Sequence, residues 1–542
     1  MNPSDPSVPR RAPARWWPAA APLAGALGLA LAVRAAVLVL AARAPIDMDG
    51  TEYVRIAQNV AAGNGPVGIR GLPILIYQPL YSWAIALAVH FGANPETAAL
   101  WIAALCGTAF VGLVYAVAAT VYGRRTGLYA ALVAAVLPIC VQISTTAITE
   151  APFAAAATAG LLGLVRLLRS WTVRDAVLCG GGFGVAYLVR PEGALFVLAA
   201  LAVAAFARRR RALPIAVLAA VAALLAVPAL ATTYAVTGHM ALEGKSTINF
   251  RLSEGLRHGA SYLSVADATD AAGHPVGPEI DTRFLTPGLV PHPALASTIR
   301  SALSAEVKHV RDVATTYKSR DYGAGLLVLL GLIGLVFTPW PQRRLRDEIA
   351  LAAFVLTGYV ALASVYHFWP RYGALFLPVA AVWAGHGVTR ATGWRVRLGR
   401  LDLIRTGLAL ALVGFVGVDV AAARATPVPI ERQAGAWMAA NEPRAPLVAD
   451  VSSMTAFYAG GTWAPLPYAN EPAAARYLER LRPTYVVFDS SRAAEYPPLR
   501  HWFAHGLPPS LGERVGTIGD AHGRRLVVYR WTGSIARTTA PR

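Results

Sequence analysis

The chain has 542 residues, 56% of them hydrophobic and only 15% charged, with a mean hydropathy of +0.47. A soluble protein of this length carries roughly 25% charged residues, so a wholly soluble chain is excluded and repeated crossing of a bilayer is expected. The net charge of +19 is almost all arginine, lysine occurring only at Lys245, Lys308 and Lys318; the arginines cluster in short loops between apolar runs, as loop-charge bias predicts, and no nucleic-acid partner is expected.

Residues 1–15 are rich in proline and arginine and are expected to form a disordered cytoplasmic N-terminus. The apolar run 17–42 is longer than a signal-peptide core and reads as an uncleaved signal anchor. Further candidate spans lie at 97–121, 127–147, 150–168, 174–189, 193–207, 212–236, 322–338, 347–366, 371–390 and 403–422. If all eleven cross, the basic clusters near Arg11, Arg124, Arg169, Arg208, Arg343 and Arg395 share one side, which the positive-inside rule makes cytoplasmic. Loops 43–96 and 237–321 and the tail 423–542 then lie outside. The dozen apolar residues at 80–91 are too few to cross and read as a helix lying in the outer interface. In the tail, helices are expected at 431–441 and 471–481, and strands at 446–450, 484–489 and 525–531. The fold class expected is a polytopic α-helical membrane protein of about 11 transmembrane helices, residues 16–422, followed by a small extracytoplasmic α/β domain. Cys106, Cys140 and Cys179 all fall in apolar runs without metal-ligand spacing and read as inert thiols.

Acidic residues beside a bilayer are costly unless a polar cavity or a function holds them there. Asp47 and Asp49 occupy that position, directly after the first span. They open the pattern Asp49-Gly50-Thr51-Glu52-Tyr53, followed by Gly63-Asn64-Gly65 and Tyr77-Gln78-Pro79-Leu80-Tyr81-Ser82-Trp83. Downstream come Thr149-Glu150-Ala151-Pro152-Phe153 and Pro370-Arg371-Tyr372. Together these motifs resemble the large GT-C membrane glycosyltransferases, in the branch of the protein O-mannosyltransferases and aminoarabinose transferases. There an acid precedes a tyrosine by four positions, as Asp49 precedes Tyr53. Gly50 departs from the pattern, which usually has glutamate at this place. Tyr77 and Gln78 stand where the aminoarabinose branch often has lysine.

The resemblance implies transfer of a sugar from a polyprenyl-phosphate carrier to an acceptor hydroxyl on a lipid, glycan or protein, at the outer face of the cytoplasmic (inner) membrane. It implies Asp49 as general base, with Asp47 as supporting or alternative carboxylate. Arg371 and Tyr372 are expected at the carrier phosphate. Glu150, Arg190, Glu192, Tyr53, Gln78 and Lys245 are further substrate-site candidates. Arg190 and Arg371 are notable as arginines expected outside. Glu52 reads as a solvated helix face. Lys245 and Arg251 would join the site only if the long loop folds back. The resemblance leaves a divalent metal open. A transporter of lipid-linked glycans is the rival reading; it predicts inverted repeats and acids near the midplane, and neither is seen.

Overall fold

The computed structural model describes residues 17–41, 46–207, 212–285, 308–362, 368–394, 396–398, 401–425 and 429–533. The expected disordered N-terminus and the basic cluster 208–211 lie outside the described residues. Ten helices lead the chain: α1 Trp17–Leu40, α2 Met48–Ala61, α3 Leu80–His90, α4 Pro95–Tyr122, α5 Arg124–Val136, α6 Pro138–Gln142, α7 Glu150–Ser170, α8 Val173–Val189, α9 Gly193–Ala207 and α10 Ala212–Thr237. Helices α11 Ser246–Arg257 and α12 Tyr262–Ala266 belong to the long loop. They are followed by α13 Leu326–Val336, α14 Gln342–Leu362, α15 Leu377–Ala391 and α16 Leu403–Ala425.

Among the described residues five helical segments are long and apolar enough to cross a membrane: Ala21–Leu40, Pro95–Tyr122, Glu150–Ser170, Ala212–Thr237 and Leu403–Arg424. The eleven expected crossings are therefore not matched one for one. The run 127–147 is not one helix. Helix α5 stops at Leu137, whose backbone is extended (φ −64°, ψ 126°), because the ring of Pro138 disfavours a helical residue before it. The short α6 and a series of turns follow before α7. The run 371–390 likewise opens as a 3₁₀ stretch, Pro370–Phe376, and only then becomes α15. Small residues let the bundle close tightly: a side chain at Gly163 would strike the backbone of Cys179, and one at Gly182 the backbone of Gly160. Helices α7 and α8 therefore meet almost backbone to backbone.

The tail forms a five-stranded sheet: β1 Leu447–Asp450, β2 Thr462–Pro465, β3 Tyr485–Asp489, β4 Gly512–Gly519 and β5 Arg525–Trp531, in the order β2-β1-β3-β5-β4. Strands β1, β2 and β3 run parallel, and β5 is antiparallel to both of its neighbours. Four helices flank it: α17 Ile430–Asn441, α18 Ser453–Tyr458, α19 Glu471–Leu481 and α20 Arg500–His505. Every residue of β3 is buried, as expected for a central strand covered on both faces.

The sheet docks on the first loop. Thr51 of α2 shares a hydrogen bond with Ser453 of α18 at 2.7 Å. The amide of Trp463 donates to Ile69 O at 2.9 Å, and Arg70 lies over the Trp463 ring at 4.7 Å. Arg432 pairs with Glu96 at 2.6 Å. Helix α2 is thus held between the tail and the bundle.

Candidate active site at the start of helix α2

Asp47 is the N-cap of α2: its carboxylate accepts from the amide of Gly50 at 2.7 Å. Short acceptor side chains are favoured here because they satisfy an amide the helix leaves free. Asp49 lies in the first turn, where the helix dipole favours a negative charge. A Cβ on Gly50 would lie 2.9 Å from Asp47 Oδ1 and 3.1 Å from Ala147 O. The turn before α7 presses on α2 at this point.

Arg371 enters from the 3₁₀ stretch and meets three acids. Its Nη2 donates to Asp49 Oδ2, its Nη1 lies 3.5 Å from Asp47 Oδ2, and its Nε lies 3.5 Å from Glu150 Oε1. Arg190, in the turn after α8, pairs with Glu150 and with Glu192, each at 3.0 Å. Glu150 thus bridges the two guanidiniums. Tyr372 carries both cations near its ring, Arg371 at 5.7 Å and Arg190 at 5.8 Å. A small cavity bordered by Glu150, Phe153, Arg190, Arg371 and Tyr372 lies among these groups.

On the opposite side of Asp49, the Tyr77 hydroxyl donates to Oδ1 at 3.5 Å. Lys245 places its Nζ 5.2 Å from the centre of the Tyr77 ring, so the long loop does fold back over the first. Arg251 is exposed on α11. Tyr53 packs edge-on against Tyr77 and shares a hydrogen bond with Thr149 at 3.4 Å. Gln78 turns away from the acids and donates to Leu242 O at 3.2 Å.

Glu52 corrects the expectation of a solvated face: it is 7% exposed, and its Oε1 accepts from the amide of Ile69 at 3.2 Å. Tyr81, in the run expected to lie in the outer interface, is 1% exposed and donates to Ala99 O at 2.9 Å.

The two aspartates titrate apart. Burial, followed by the neighbouring Asp49 charge, raises the Asp47 carboxyl to about 7. Burial also opposes ionisation of Asp49, but Arg371, with Lys245 and Arg190 behind it, outweighs burial and holds Asp49 below its usual value. Burial would lower Arg371 and Arg190, yet the surrounding acids reverse that and keep both firmly protonated. Burial raises Glu52 to about 7. At neutral pH the site therefore holds Asp49 and Glu192 as secure carboxylates beside two secure guanidiniums.

Among the described residues no group of three or more His, Cys, Asp or Glu side chains is disposed to hold a metal ion. The charge between Asp47, Asp49 and Glu150 is supplied by Arg371.

Residues 76–231 match the family model described as dolichyl-phosphate-mannose-protein mannosyltransferase. The oligosaccharyltransferase AglB from Archaeoglobus fulgidus, solved with an inhibitory peptide and a dolichol-phosphate, superposes with a TM-score of 0.59 at 16% identity, covering 97% of this chain and 75% of its own. ArnT from Cupriavidus metallidurans bound to undecaprenyl phosphate superposes with a TM-score of 0.53 at 14% identity, covering 96% and 99%. The chain has the fold of the GT-C glycosyltransferases. A third GT-C structure, the Archaeoglobus fulgidus oligosaccharyltransferase tethered to an acceptor peptide, gives a TM-score of 0.60 at 14% identity over 96% of this chain and 74% of that one. No curated protein matches. The family match contains Tyr77, Gln78, Glu150, Arg190 and Glu192 but neither α2 nor Arg371, so the acid–guanidinium cluster joins matched and unmatched parts of the chain.

Proposed function

We propose that the protein transfers a sugar from a polyprenyl-phosphate carrier to an acceptor hydroxyl at the outer face of the cytoplasmic membrane, with inversion at the anomeric carbon. The observation that carries the reading is the placement of Asp49, a carboxylate held ionised against Arg371 at a helix N-terminus. An acceptor alcohol is a poor nucleophile and gains from a carboxylate in hydrogen-bond reach. In this reading Asp49 takes the acceptor's proton, the alkoxide oxygen forms the new bond to the anomeric carbon, and the carbon–oxygen bond to the carrier phosphate breaks. The electron pair leaves with the phosphate, and Arg371 and Lys245 meet the charge that develops there. Arg190, Glu192 and Glu150 hold Arg371 in place, and Tyr372 packs beside both guanidiniums. Tyr53 and Tyr77 wall the acid, and Gln78 fixes the strand of loop at Leu242. A guanidinium suits phosphate oxygens because it presents paired donors. Arg371 is already engaged by carboxylates, so the carrier phosphate must compete with Asp47 and Asp49 for it.

The dolichol-phosphate bound to AglB and the undecaprenyl phosphate bound to ArnT support a polyprenyl-phosphate carrier for this chain, and the family match supports sugar transfer. The test is transfer by purified protein from radiolabelled undecaprenyl-phosphate sugars to a membrane extract, with the anomeric configuration of the product determined. An acceptor-linked product inverted relative to the donor is expected. Retention, or movement of intact carrier without bond cleavage, would contradict the reading. Reporters fused at Gly460 and at Arg208 should report opposite sides of the membrane, with Gly460 outside.

A further inference from the structure

Arg34 is the only charged residue in α1 and is fully buried. A cation in a membrane span is expensive and calls for a specific partner. Its partners include two carbonyls on either side of the α5–α6 break. Nη1 donates to Ala135 O at 3.0 Å, as it does to Ala30 O of its own helix, and Nη2 donates to Cys140 O at 3.2 Å. Both carbonyls have lost the amide a continuous helix would supply. The amide of Ile139, four residues after Ala135, donates to Asp321 O instead, and that of Ser144, four after Cys140, donates to Val141 O. A buried carbonyl without a donor is costly; the guanidinium supplies one to Ala135 O and adds a second to Cys140 O, which also accepts from Ser144 Oγ.

The segment that Arg34 supports runs straight into the site. Ser144 follows Cys140 and bonds its carbonyl. Ala147 presses on Gly50 beside Asp47, Thr149 bonds Tyr53, and Glu150 bridges Arg371 and Arg190. Helix α4 closes the support from the other side: a Cβ on Gly107 would lie 2.2 Å from Ser144 Oγ and 2.9 Å from Arg34 Nε.

We propose that Arg34 is a positioning residue, which by clamping the carbonyls of Ala135 and Cys140 sets the height of segment 140–150 and, through Ala147 behind Gly50 and Thr149 on Tyr53, the seat of Asp49. The proposal rests on the reading of the Arg371 cluster as a transfer site. Misplacing a reacting group by about 1 Å costs on the order of 100-fold in rate. Arg34→Met keeps the length and removes the donors, Arg34→Lys returns some of them, and Gly107→Ala disturbs the same support from α4. Each variant is purified to a single monodisperse peak, and kcat and donor KM are measured with labelled undecaprenyl-phosphate sugar. The expected result is a fall in kcat of about 100-fold in Arg34→Met with donor KM within about threefold, at least partial recovery in Arg34→Lys, and a loss in Gly107→Ala of the same kind. Wild-type kcat in a folded Arg34→Met overturns the proposal. So does a pattern in which Arg34→Met fails to fold while Arg34→Lys and Gly107→Ala fold and turn over normally, since the arginine would then serve stability alone. Wild-type turnover in Arg371→Ala would instead remove the underlying reading of the cluster.

Discussion

At the scale of single residues, the site is decided by how Arg371 divides itself between acids. Removing one member of such a partly buried set leaves the others without compensation. Arg371→Ala should therefore raise the donor KM by at least about tenfold, since a charge-assisted phosphate contact contributes about 1.5–3 kcal/mol. Arg371→Lys should recover only part, because an ammonium cannot reach the acids and a phosphate with the same fork. Asp47 predicts a pH dependence. Its carboxyl, raised to about 7, is neutral below that pH and negative above it. A second negative charge beside Asp49 repels the carrier phosphate. Donor KM should thus increase as pH rises through about 7 in the wild type and stay flat in Asp47→Asn; a KM that does not vary between pH 6 and pH 8 would remove Asp47 from this role.

At the scale of elements, α2 is the part on which the geometry turns. Its N-terminus is pinned by the Asp47 cap and by Ala147 behind Gly50, and its middle by Glu52, which bonds Ile69. Glu52 also gives a stability prediction. Its folded value is raised to about 7, so the folded state keeps a proton that the unfolded chain releases above the ordinary glutamate range. That destabilisation is absent at pH 4, grows as pH rises toward 7, and is constant above it. Glu52→Gln should therefore leave the melting temperature unchanged at pH 4 and raise it at pH 8; equal shifts at both would show that the gain has another origin. Much of this element was legible. The Asp49–Tyr53 spacing pointed to α2 as the candidate site element, and the tail helices 430–441 and 471–481 and strand 525–531 follow their expected ranges closely. The break at Pro138 was not legible, because a proline inside an apolar run still reads as hydrophobic and its consequence depends on Arg34 from another helix. Strand β4 was missed because Gly512, Glu513, Arg514 and Gly516 carry no β-rich pattern. The strand forms through pairing with β5. Glu52 looked like a solvated acid because the turn at Ile69 that buries it is distant in sequence.

At the scale of the molecule, the tail closes against the first loop, through Thr51–Ser453, Ile69–Trp463 and Arg432–Glu96. Tyr458 joins the last pair, 3.1 Å from Arg432 and 3.3 Å from Glu96. Arg432 is about one-third exposed, and pairs of this exposure contribute about 1 kcal/mol or less. Arg432→Ala should accordingly leave the fold intact but increase proteolytic release of the tail by several-fold. Unchanged proteolysis would show that the other contacts suffice. The loop-charge pattern and the motif order made the membrane class and the GT-C resemblance legible. The number of spans was less legible, because short apolar runs such as 193–207 pack as helices without the length a bilayer demands. The most direct test of the central claim is a single-turnover measurement with saturating labelled undecaprenyl-phosphate sugar, run on wild type and on Asp49→Asn at matched folded concentration. The account predicts that the variant binds the donor with similar affinity while transfer slows by about 100-fold or more, the range for loss of a general base. Transfer by Asp49→Asn at the wild-type rate would contradict it.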